Sequence, residues 1–238
     1  MKKNISLGLV GLLCLMNLTA QKIIEKNFDY NDQYIELDVK FARNIEVKTW
    51  DKTNVYFKAT IEIDEEQFID KYNVDFKTSD GYITIEEEAE PVFKAMQEHG
   101  RKNYPNNKRY WYNSGDLCRF NYVLYVPKDA HFKVSSINGN LKSEVIEGDF
   151  KADLINGDID IKNYNGKLDL STINGEIDLK VSNARFVAET IHGDIYADEK
   201  IKVVAHDRHV GQKVESDGID FDNRLKLNTI NGNMYLRQ

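Results

Sequence analysis

The second half of this chain contains glycine at a fixed nine-residue spacing. Nine residues separate each of five successive glycines, and two further steps lead to a sixth: Gly139, Gly148, Gly157, Gly166, Gly175 and Gly193. The skipped position holds Ala184, which follows an asparagine as Gly157 does. A fixed period of this length is typical of chains that fold as a stack of similar units.

Apolar residues keep step with this spacing. Positions two and four residues after each glycine or its substitute are apolar, except for Ser143, and the apolar set includes Leu141, Phe150, Ala152, Ile159, Ile161, Leu168, Leu170, Ile177, Leu179, Phe186 and Ala188. The positions between them are mostly polar. Alternation with a period of two predicts β-strands with one buried and one exposed face, separated by turns.

A longer period of eighteen residues lies over the first. Ile-Asn-Gly or Ile-His-Gly begins at Ile137, Ile155, Ile173 and Ile191. Asn-Gly suits a turn because glycine readily adopts a positive φ. One coil is therefore predicted to contain eighteen residues and to have two sides. Stacking of such coils, with strands about 4.8 Å apart, would bring the four isoleucines into one buried column.

The predicted fold is all-β. It is a β-solenoid of the parallel β-helix type over residues 134–238, preceded over residues 21–133 by less regular strands of the same elongated domain. Five longer runs alternate apolar and polar residues, as in Val55-Tyr56-Phe57-Lys58-Ala59, and they are 34–41, 44–50, 54–63, 73–77 and 82–88. Residues 64–73 are compatible with a short helical turn. Residues 89–117 have no clear period and are predicted as a long loop. The register also breaks at residues 199–217 and resumes at Asn223.

Residues 1–20 have the layout of a secretory signal peptide. Two lysines precede an apolar run that ends at Met16, and cleavage is predicted after Ala20. Cys14 follows Leu13 instead of a small residue, which argues against a lipoprotein. No later stretch resembles a membrane helix. We therefore predict an exported protein with no transmembrane segment after cleavage, located in the periplasm, on the outer-membrane surface or outside the cell.

Charge and cysteine content narrow the class of partner. The chain has 32 Lys and Arg against 39 Asp and Glu, a formal charge of −7, and loss of Lys2 and Lys3 with the signal peptide makes it −9. Nucleic acid is excluded as a partner because recognition of its backbone needs a basic surface. Cys118 is the one cysteine after residue 20, so an internal disulfide cannot form.

These features resemble the bacterial putative-adhesin domains of unknown function, which are exported proteins rich in Asn-Gly-Asp turns. The matching stretches are residues 44–55, the strand end at residues 125–129 and the run that begins at Ser136. The resemblance extends over most of residues 34–236. It implies an adhesin-like structural or interaction protein of the cell envelope, in which the solenoid is a rigid display scaffold.

The sequence predicts neither a cofactor nor a metal site in the repeat. Calcium-binding β-rolls use a Gly-Gly-x-Gly-x-Asp pattern, whereas a unit here has at most one glycine at this position. The next residue is basic in two units, Lys167 after Gly166 and Arg185 after Ala184. Polysaccharide lyases and hydrolases also use parallel β-helices, so a glycan-active enzyme is the alternative function. Since no catalytic motif is present, we predict that the protein is not an enzyme.

The break in the repeat is the one place where the sequence offers groups for metal binding or catalysis. These groups are His206, Asp207, Arg208 and His209, to which His192 could contribute. Polar residues in a surface loop are the commoner cause of such a cluster. Convergence of this break with the segment 94–112 on one cleft would favour an enzyme, and separation would favour a scaffold.

The segment from Lys94 to Tyr112 is the predicted binding site. It is basic and aromatic within an acidic chain, and its candidate residues are Arg101, Lys102, Tyr104, Lys108, Arg109, Tyr110, Trp111 and Tyr112. Aromatic faces can stack on sugar rings while basic groups meet acidic glycans or lipid headgroups. The alternative is that these rings only cover the sheet. A glycan, an envelope component or another protein is the predicted partner.

Overall fold

The computed structural model describes residues 20–106, 117–182, 184–206, 208–217 and 223–238. Within these ranges the fold is all-β, as the sequence predicts, with one α-helix and one short 3-10 helix. Residues 1–19 of the predicted signal peptide lie outside them. No helix in the described ranges is long and apolar enough to span a membrane.

The first half of the chain supplies seven strands and both helices. The strands are β1 (Ala20–Asp29), β2 (Tyr34–Asp38), β3 (Phe41–Trp50), β4 (Asn54–Ile63), β5 (Asn73–Thr78), β6 (Tyr82–Glu88) and β7 (Cys118–Pro127). The 3-10 helix is Glu66–Lys71 and the α-helix, α1, is Glu90–Asn103. Buried and half-buried side chains alternate strictly along β4. The alternating sequence therefore determines which side chains face the core.

Within its described residues, the second half supplies eleven strands, in which long and short strands largely alternate. They are β8 (Ala130–Ser143), β9 (Ile146–Asn156), β10 (Ile159–Ile161), β11 (Tyr164–Asn174), β12 (Ile177–Lys180), β13 (Ala184–His192), β14 (Ile195–Ala197), β15 (Val203–His206), β16 (Gln212–Ser216), β17 (Asn223–Asn231) and β18 (Met234–Arg237). Each Ile-Asn-Gly or Ile-His-Gly motif therefore falls at a corner between a longer and a shorter strand, except in β8, which continues through it.

The strands form one mixed sheet that consists of two ladders joined through β8. Ladder A has the order β5-β6-β2-β8-β9-β11-β17-β13-β16-β15, and it is parallel from β6 to β13. Ladder B has the order β1-β4-β7-β3-β8-β10-β12-β18-β14, and it is parallel from β7 to β14. The first part of β8 belongs to ladder A and its last part to ladder B.

Register in both ladders follows the eighteen-residue period until the C-terminal segment interrupts it. Phe150 pairs with Leu168, eighteen residues on. Leu168 then pairs with Leu225 of β17, and Leu225 pairs on its other side with Phe186. In ladder B, β18 lies between β12 and β14 in the same way. The last segment of the chain is thus inserted between two segments that the sequence period predicts as neighbours.

Glycine is required at the corners because the backbones approach closely there. A Cβ on Gly157 would overlap the carbonyl oxygen of Gly139, and the same clash recurs along the stack, ending with Gly193 against Gly232. The five corner glycines are Gly139, Gly157, Gly175, Gly193 and Gly232. Of these, Gly139 has a positive φ, 147°, and the other four do not. The predicted need for a left-handed turn is therefore wrong at most corners, and close stacking explains the repeat instead.

The core collects the inward-facing residues of both ladders into one cluster. The apolar positions two and four residues after each glycine are buried in β9 to β13, as predicted. In ladder A the rings of Phe132 and Phe150 stack with centroids 4.6 Å apart. Near the N-terminal strands, the hydroxyl groups of Tyr72 and Tyr122 form a buried hydrogen bond of 2.8 Å. Burial of each large side chain stabilises the fold by about 1.5–3 kcal/mol.

The predicted buried column of isoleucines is wrong. Ile137, Ile155, Ile173 and Ile191 are 37%, 39%, 38% and 45% exposed, and Ile230 joins them at 39%. The cause is the corner: the chain turns from one ladder to the other at Ile-Asn-Gly, so the side chain before the turn points outward. The asparagines that follow form a ladder of amide hydrogen bonds, such as Asn174 Nδ2 to Asn156 Oδ1 at 2.8 Å.

The predicted loop at residues 89–117 is wrong in its first half. Helix α1 occupies Glu90–Asn103, with Pro91 in its first turn, where proline is tolerated. Val92, Met96 and Gly100 are its buried residues, spaced at one helical turn. The ring of Phe93 also meets that of Phe41, with centroids 4.7 Å apart. This apolar face attaches the helix to ladder B.

Candidate functional site

The structure describes only the first part of the predicted binding segment. Arg101 and Lys102 are exposed in the last turn of α1, and Tyr104 follows the helix with 46% of its surface exposed. The ring of Tyr104 lies 6.2 Å from that of His99. The other candidates lie outside the described residues: Lys108, Arg109, Tyr110, Trp111 and Tyr112. The role of the segment in binding stays a prediction.

The break in the repeat forms an antiparallel hairpin, β15–β16, at one edge of ladder A. His206 Nε2 is 3.2 Å from Glu215 Oε2, and Arg208 Nη1 is 3.3 Å from Glu189 Oε2. Asp207 lies outside the described residues. In the described ranges, no group of three or more His, Cys, Asp or Glu side chains could hold a metal ion. Lys213 Nζ links the two pairs, at 2.7 Å from Glu215 and 3.7 Å from Glu189, so the contacts form one chain of ion pairs along a partly exposed sheet edge.

The hairpin and helix α1 lie far apart. Glu90 of α1 accepts a hydrogen bond from Lys40 Nζ at 2.8 Å, next to β3, and α1 directly follows β6. Six strands separate β6 from β16 in ladder A, namely β2, β8, β9, β11, β17 and β13. The seven strand-to-strand steps of about 4.8 Å give a separation of roughly 34 Å along the ladder. The described parts of the two segments therefore do not converge on one cleft.

Three aromatic side chains lie together on the outer face of ladder B, and we call them the aromatic cluster: Trp50, Tyr56 and Tyr125. The rings of Trp50 and Tyr125 are 4.8 Å apart between centroids, and Tyr56 lies 6.4 Å from Trp50 and 5.8 Å from Tyr125. They come from the outward positions of β3, β4 and β7, and Tyr56 pairs directly with Tyr125. All three side chains are half-buried.

Hydrogen bonds fix the orientation of the cluster. The indole Nε1–H of Trp50 donates to the carbonyl oxygen of Asn54 at 2.9 Å, and the amide of Asn54 donates to Asn27 Oδ1, also at 2.9 Å. Lys52 Nζ lies 4.4 Å from the centroid of the Trp50 ring, and Lys48 Nζ lies 5.3 Å from that of Tyr125. The rings are thus held rigidly, with amide and ammonium groups around them.

Rigid rings on a flat sheet face can bind the apolar face of a sugar while the surrounding polar groups bind its hydroxyls. An aromatic side chain loses little conformational entropy on binding because it has two χ angles, and hydrogen bonding of Trp50 reduces that cost further. The arrangement lacks the enclosed cavity that most small-molecule sites provide. It fits an extended ligand that lies along a surface.

Sequence reasoning missed this cluster, although a signal was present. Alternation in β4 places Val55 and Phe57 inside, so Tyr56 between them has to face outward. Tyr56 could thus be identified as an outward aromatic residue, but aromatic residues are common in strands and one alone does not mark a site. Pairing of β4 with β7, which brings Tyr125 alongside, follows only from the three-dimensional structure.

The fold is similar to those of solved bacterial proteins. A "putative cell adhesion protein" from Clostridium sporogenes has a TM-score of 0.56 at 14% identity, and the match covers 93% of this chain and 100% of that one. A "putative adhesin" and a "putative lipid binding protein" from Parabacteroides distasonis match at 15% and 9% identity, with TM-scores of 0.35 and 0.39. These two matches cover 74% and 91% of this chain, and 62% and 97% of theirs.

No protein-family model matches the chain, and no curated protein matches it in sequence. The class that these results define is an all-β fold, which this chain shares with the Clostridium sporogenes protein along nearly its whole length. At 14% identity the similarity concerns the fold, so the function has to be argued from the surface of this molecule.

Proposed function

We propose that this protein is an exported, adhesin-like interaction protein of the cell envelope that binds a glycan through the aromatic cluster. The observation that carries the proposal is the placement of Trp50 4.8 Å from Tyr125, with Tyr56 beside both, on an outward face. Large aromatic side chains contribute much of the energy at binding surfaces. The three rings pack on one another and still leave part of their surface open to solvent, where a ligand can stack.

In this proposal the repeat region is a β-solenoid with eighteen-residue coils and acts as a rigid scaffold. The parallel pairing of Phe132 with Phe150, and of Phe150 with Leu168, supports that interpretation, since each step is one coil. The insertion of β17 and β18 modifies the order of the coils and keeps their register. The aromatic cluster lies on strands β3, β4 and β7, which precede this scaffold, and β3 pairs directly with β8, in which the repeat region begins.

Binding at the cluster has an identifiable cost. Lys52 Nζ lies over the ring of Trp50 at 4.4 Å, so a sugar that stacks on this face displaces the ammonium group. An exposed cation–π contact contributes about 0.5–1 kcal/mol. Burial of apolar surface contributes about 25 cal/mol per Å². The free energy gained when a sugar covers one indole and two phenol rings therefore exceeds the free energy lost with the cation–π contact. A displaced Lys52 can then donate to a sugar hydroxyl.

The alternative is a glycan-active enzyme. The separation of the β15–β16 hairpin from α1 by six strands supports a scaffold over an active site. Incubation with a panel of envelope polysaccharides, followed by measurement of new reducing ends and unsaturated products, distinguishes the two functions. We expect no product above background, and a time-dependent release of product would support the enzyme.

The proposal is tested on a glycan array with the purified chain from Gln21. Trp50→Ala and Tyr125→Ala should each lower retention of the bound glycans by about tenfold or more, because each removes a stacking surface. Tyr196→Ala is the matched control, since Tyr196 is also an exposed ring on ladder B, at 52% exposure. Retention by no glycan, or equal loss with the control, contradicts the proposal.

A further inference from the structure

A second surface, a groove across the outer face of ladder A, has a different chemistry. It has a volume of about 300 Å³ and crosses β2, β8, β9, β11 and β17 between two rows of outward side chains. Four strand-to-strand steps of about 4.8 Å give it a length of roughly 19 Å. The ring of Tyr34 closes the end on β2. Its shape suits a linear chain.

The groove is positively charged although the protein is acidic. It is lined by four cationic groups and two carboxylates: Lys151, Lys167, Arg224 and Lys226 against Asp149 and Asp169. With His131 neutral, these groups give a formal charge of +2, in a chain of charge −7. Asp149 accepts a hydrogen bond from Lys167 Nζ at 2.8 Å, and Lys226 Nζ lies 3.4 Å from Asp169.

Insertion of β17 brings basic side chains into direct register. Arg224 pairs with Lys167 on one side and with Arg185 on the other. Like charges that lie directly opposite in a sheet are destabilising. Of these three residues, Lys167 forms an ion pair within the described part of the chain, with Asp149 at 2.8 Å, so the repulsion is offset only in part. Arg224 has no carboxylate within ion-pair distance among the described residues, which leaves its guanidinium available to an anionic ligand.

We propose that this groove binds a linear acidic polysaccharide that carries carboxylate groups. The guanidinium of Arg224 offers a bidentate partner to a carboxylate, and Lys167 and Lys226 flank it along and across the groove. Asp149 and Asp169 accept hydrogen bonds from sugar hydroxyls between the carboxylates. Tyr34 provides a ring for the sugar at one end. The groove therefore matches both functional groups of a uronic acid chain.

The same observations argue against an anionic membrane as the occupant. A bilayer surface is broad and flat, and its headgroups would meet Asp149 and Asp169 as well as the cations. Attraction of basic residues to anionic lipids sums over many groups of one sign, whereas the cations here alternate with carboxylates. A narrow chain with hydroxyls and carboxylates uses both kinds of group.

The test measures the affinity of the purified chain from Gln21 for an oligogalacturonate, with its methyl ester as the uncharged counterpart. Arg224→Ser combined with Lys167→Ser should weaken binding by about tenfold or more and flatten its salt dependence. Lys142→Ser with Lys180→Ser removes the same charge from the outer face of ladder B and should leave affinity unchanged within about twofold. Arg224→Lys with Lys167→Arg should recover part of the binding.

Three results would overturn the proposal. They are equal affinity of the Arg224/Lys167 variant and the parent, equal affinity for the acid and the methyl ester, and binding of phosphatidylglycerol vesicles without binding of the oligogalacturonate. Because the aromatic cluster lies on ladder B, Trp50→Ala should leave oligogalacturonate affinity unchanged. The groove and the proposed function therefore fail or succeed independently.

Discussion

Leu168 pairs with Leu225, 57 positions further along the chain, in the parallel part of ladder A. The eighteen-residue period predicts Phe186 at that place, and Phe186 lies one strand beyond, paired with Leu225. The C-terminal segment is thus the internal layer of the stack and not its end. Its insertion places Arg224 between Lys167 and Arg185, and so produces the basic part of the groove.

The insertion predicts which engineered cysteines can form a disulfide. Ser171 pairs with Asn228, and Glu189 lies on the far side of Asn228. Adjacent strands are about 4.8 Å apart, within the Cα separation of a disulfide, whereas alternate strands are about 10 Å apart. Ser171→Cys with Asn228→Cys should therefore cross-link under mild oxidation, and Ser171→Cys with Glu189→Cys should not.

Cys118 does not interfere in that experiment, because burial raises the pKa of its thiol to about 12. Peptide mass mapping after oxidation identifies the bond. If the variant with cysteines at 171 and 189 formed its disulfide and the variant with cysteines at 171 and 228 did not, β17 would not lie between β11 and β13.

The corner glycines predict a pair of opposite alanine effects. Gly175→Ala places a Cβ against the carbonyl oxygen of Gly157, so it should destabilise the fold by about 1–3 kcal/mol or more. Gly81→Ala is the control, since a Cβ there has no atom within 4 Å. It should be neutral or stabilise by about 0.4–1 kcal/mol. Denaturant unfolding measures both, and equal losses would contradict close stacking as the reason for the repeat.

Two isoleucines four residues apart should respond differently to charge. Ile159 is fully buried, so Ile159→Asp places an unpaired carboxylate in the core and should cost about 4 kcal/mol or more. Ile155 is 39% exposed at a corner, and Ile155→Asp should cost about 1 kcal/mol or less. Thermal unfolding of both variants checks the direction of each side chain. A severe loss with Ile155→Asp would restore the buried column that the sequence predicts.

Glu87 should make stability depend on pH. Burial raises the pKa of this carboxyl to about 7, although it accepts hydrogen bonds from the backbone N–H groups of Phe41 and Ala89. The folded state therefore binds a proton more tightly than the unfolded state, and its contribution to stability is lost as the pH rises from about 4.5 through 7.

Glu87→Gln removes this dependence. Between pH 5 and pH 8 the parent should lose about 2–3 kcal/mol relative to that variant, since one pKa unit corresponds to about 1.4 kcal/mol. Urea unfolding across this range measures the difference, and Glu88→Gln at the exposed neighbouring position should keep the parental profile. Parallel profiles for the parent and Glu87→Gln would show that Glu87 titrates normally.

The strands and their inward residues could be predicted from the sequence because both depend on local alternation. Phe150, Leu168 and Ile177 are buried because each stands at an inward position of a strand whose apolar and polar residues alternate. The eighteen-residue register follows from the recurrence of Ile-Asn-Gly, which sets where the chain passes from one ladder to the other. These features need no knowledge of distant contacts.

The rest depends on which segments meet, and periodicity does not encode this. Ile230-Asn231-Gly232 carries the same motif as the other corners, so nothing in its sequence places it inside the stack instead of at the end. The outward direction of Ile137 results from a corner where the chain changes ladders. The aromatic cluster and the groove combine residues from strands far apart in the chain, so neither could be read from one segment.

The most direct test of the proposed function is the emission of Trp50 during titration with a glycan that the chain retains. The sequence contains two tryptophans, and Trp111→Phe leaves Trp50 as the sole reporter. Stacking of a sugar on the half-exposed indole removes water, so emission should shift to shorter wavelength with the same midpoint that calorimetry gives. Saturable binding by calorimetry with unchanged Trp50 emission would show that the glycan binds elsewhere and would contradict the account.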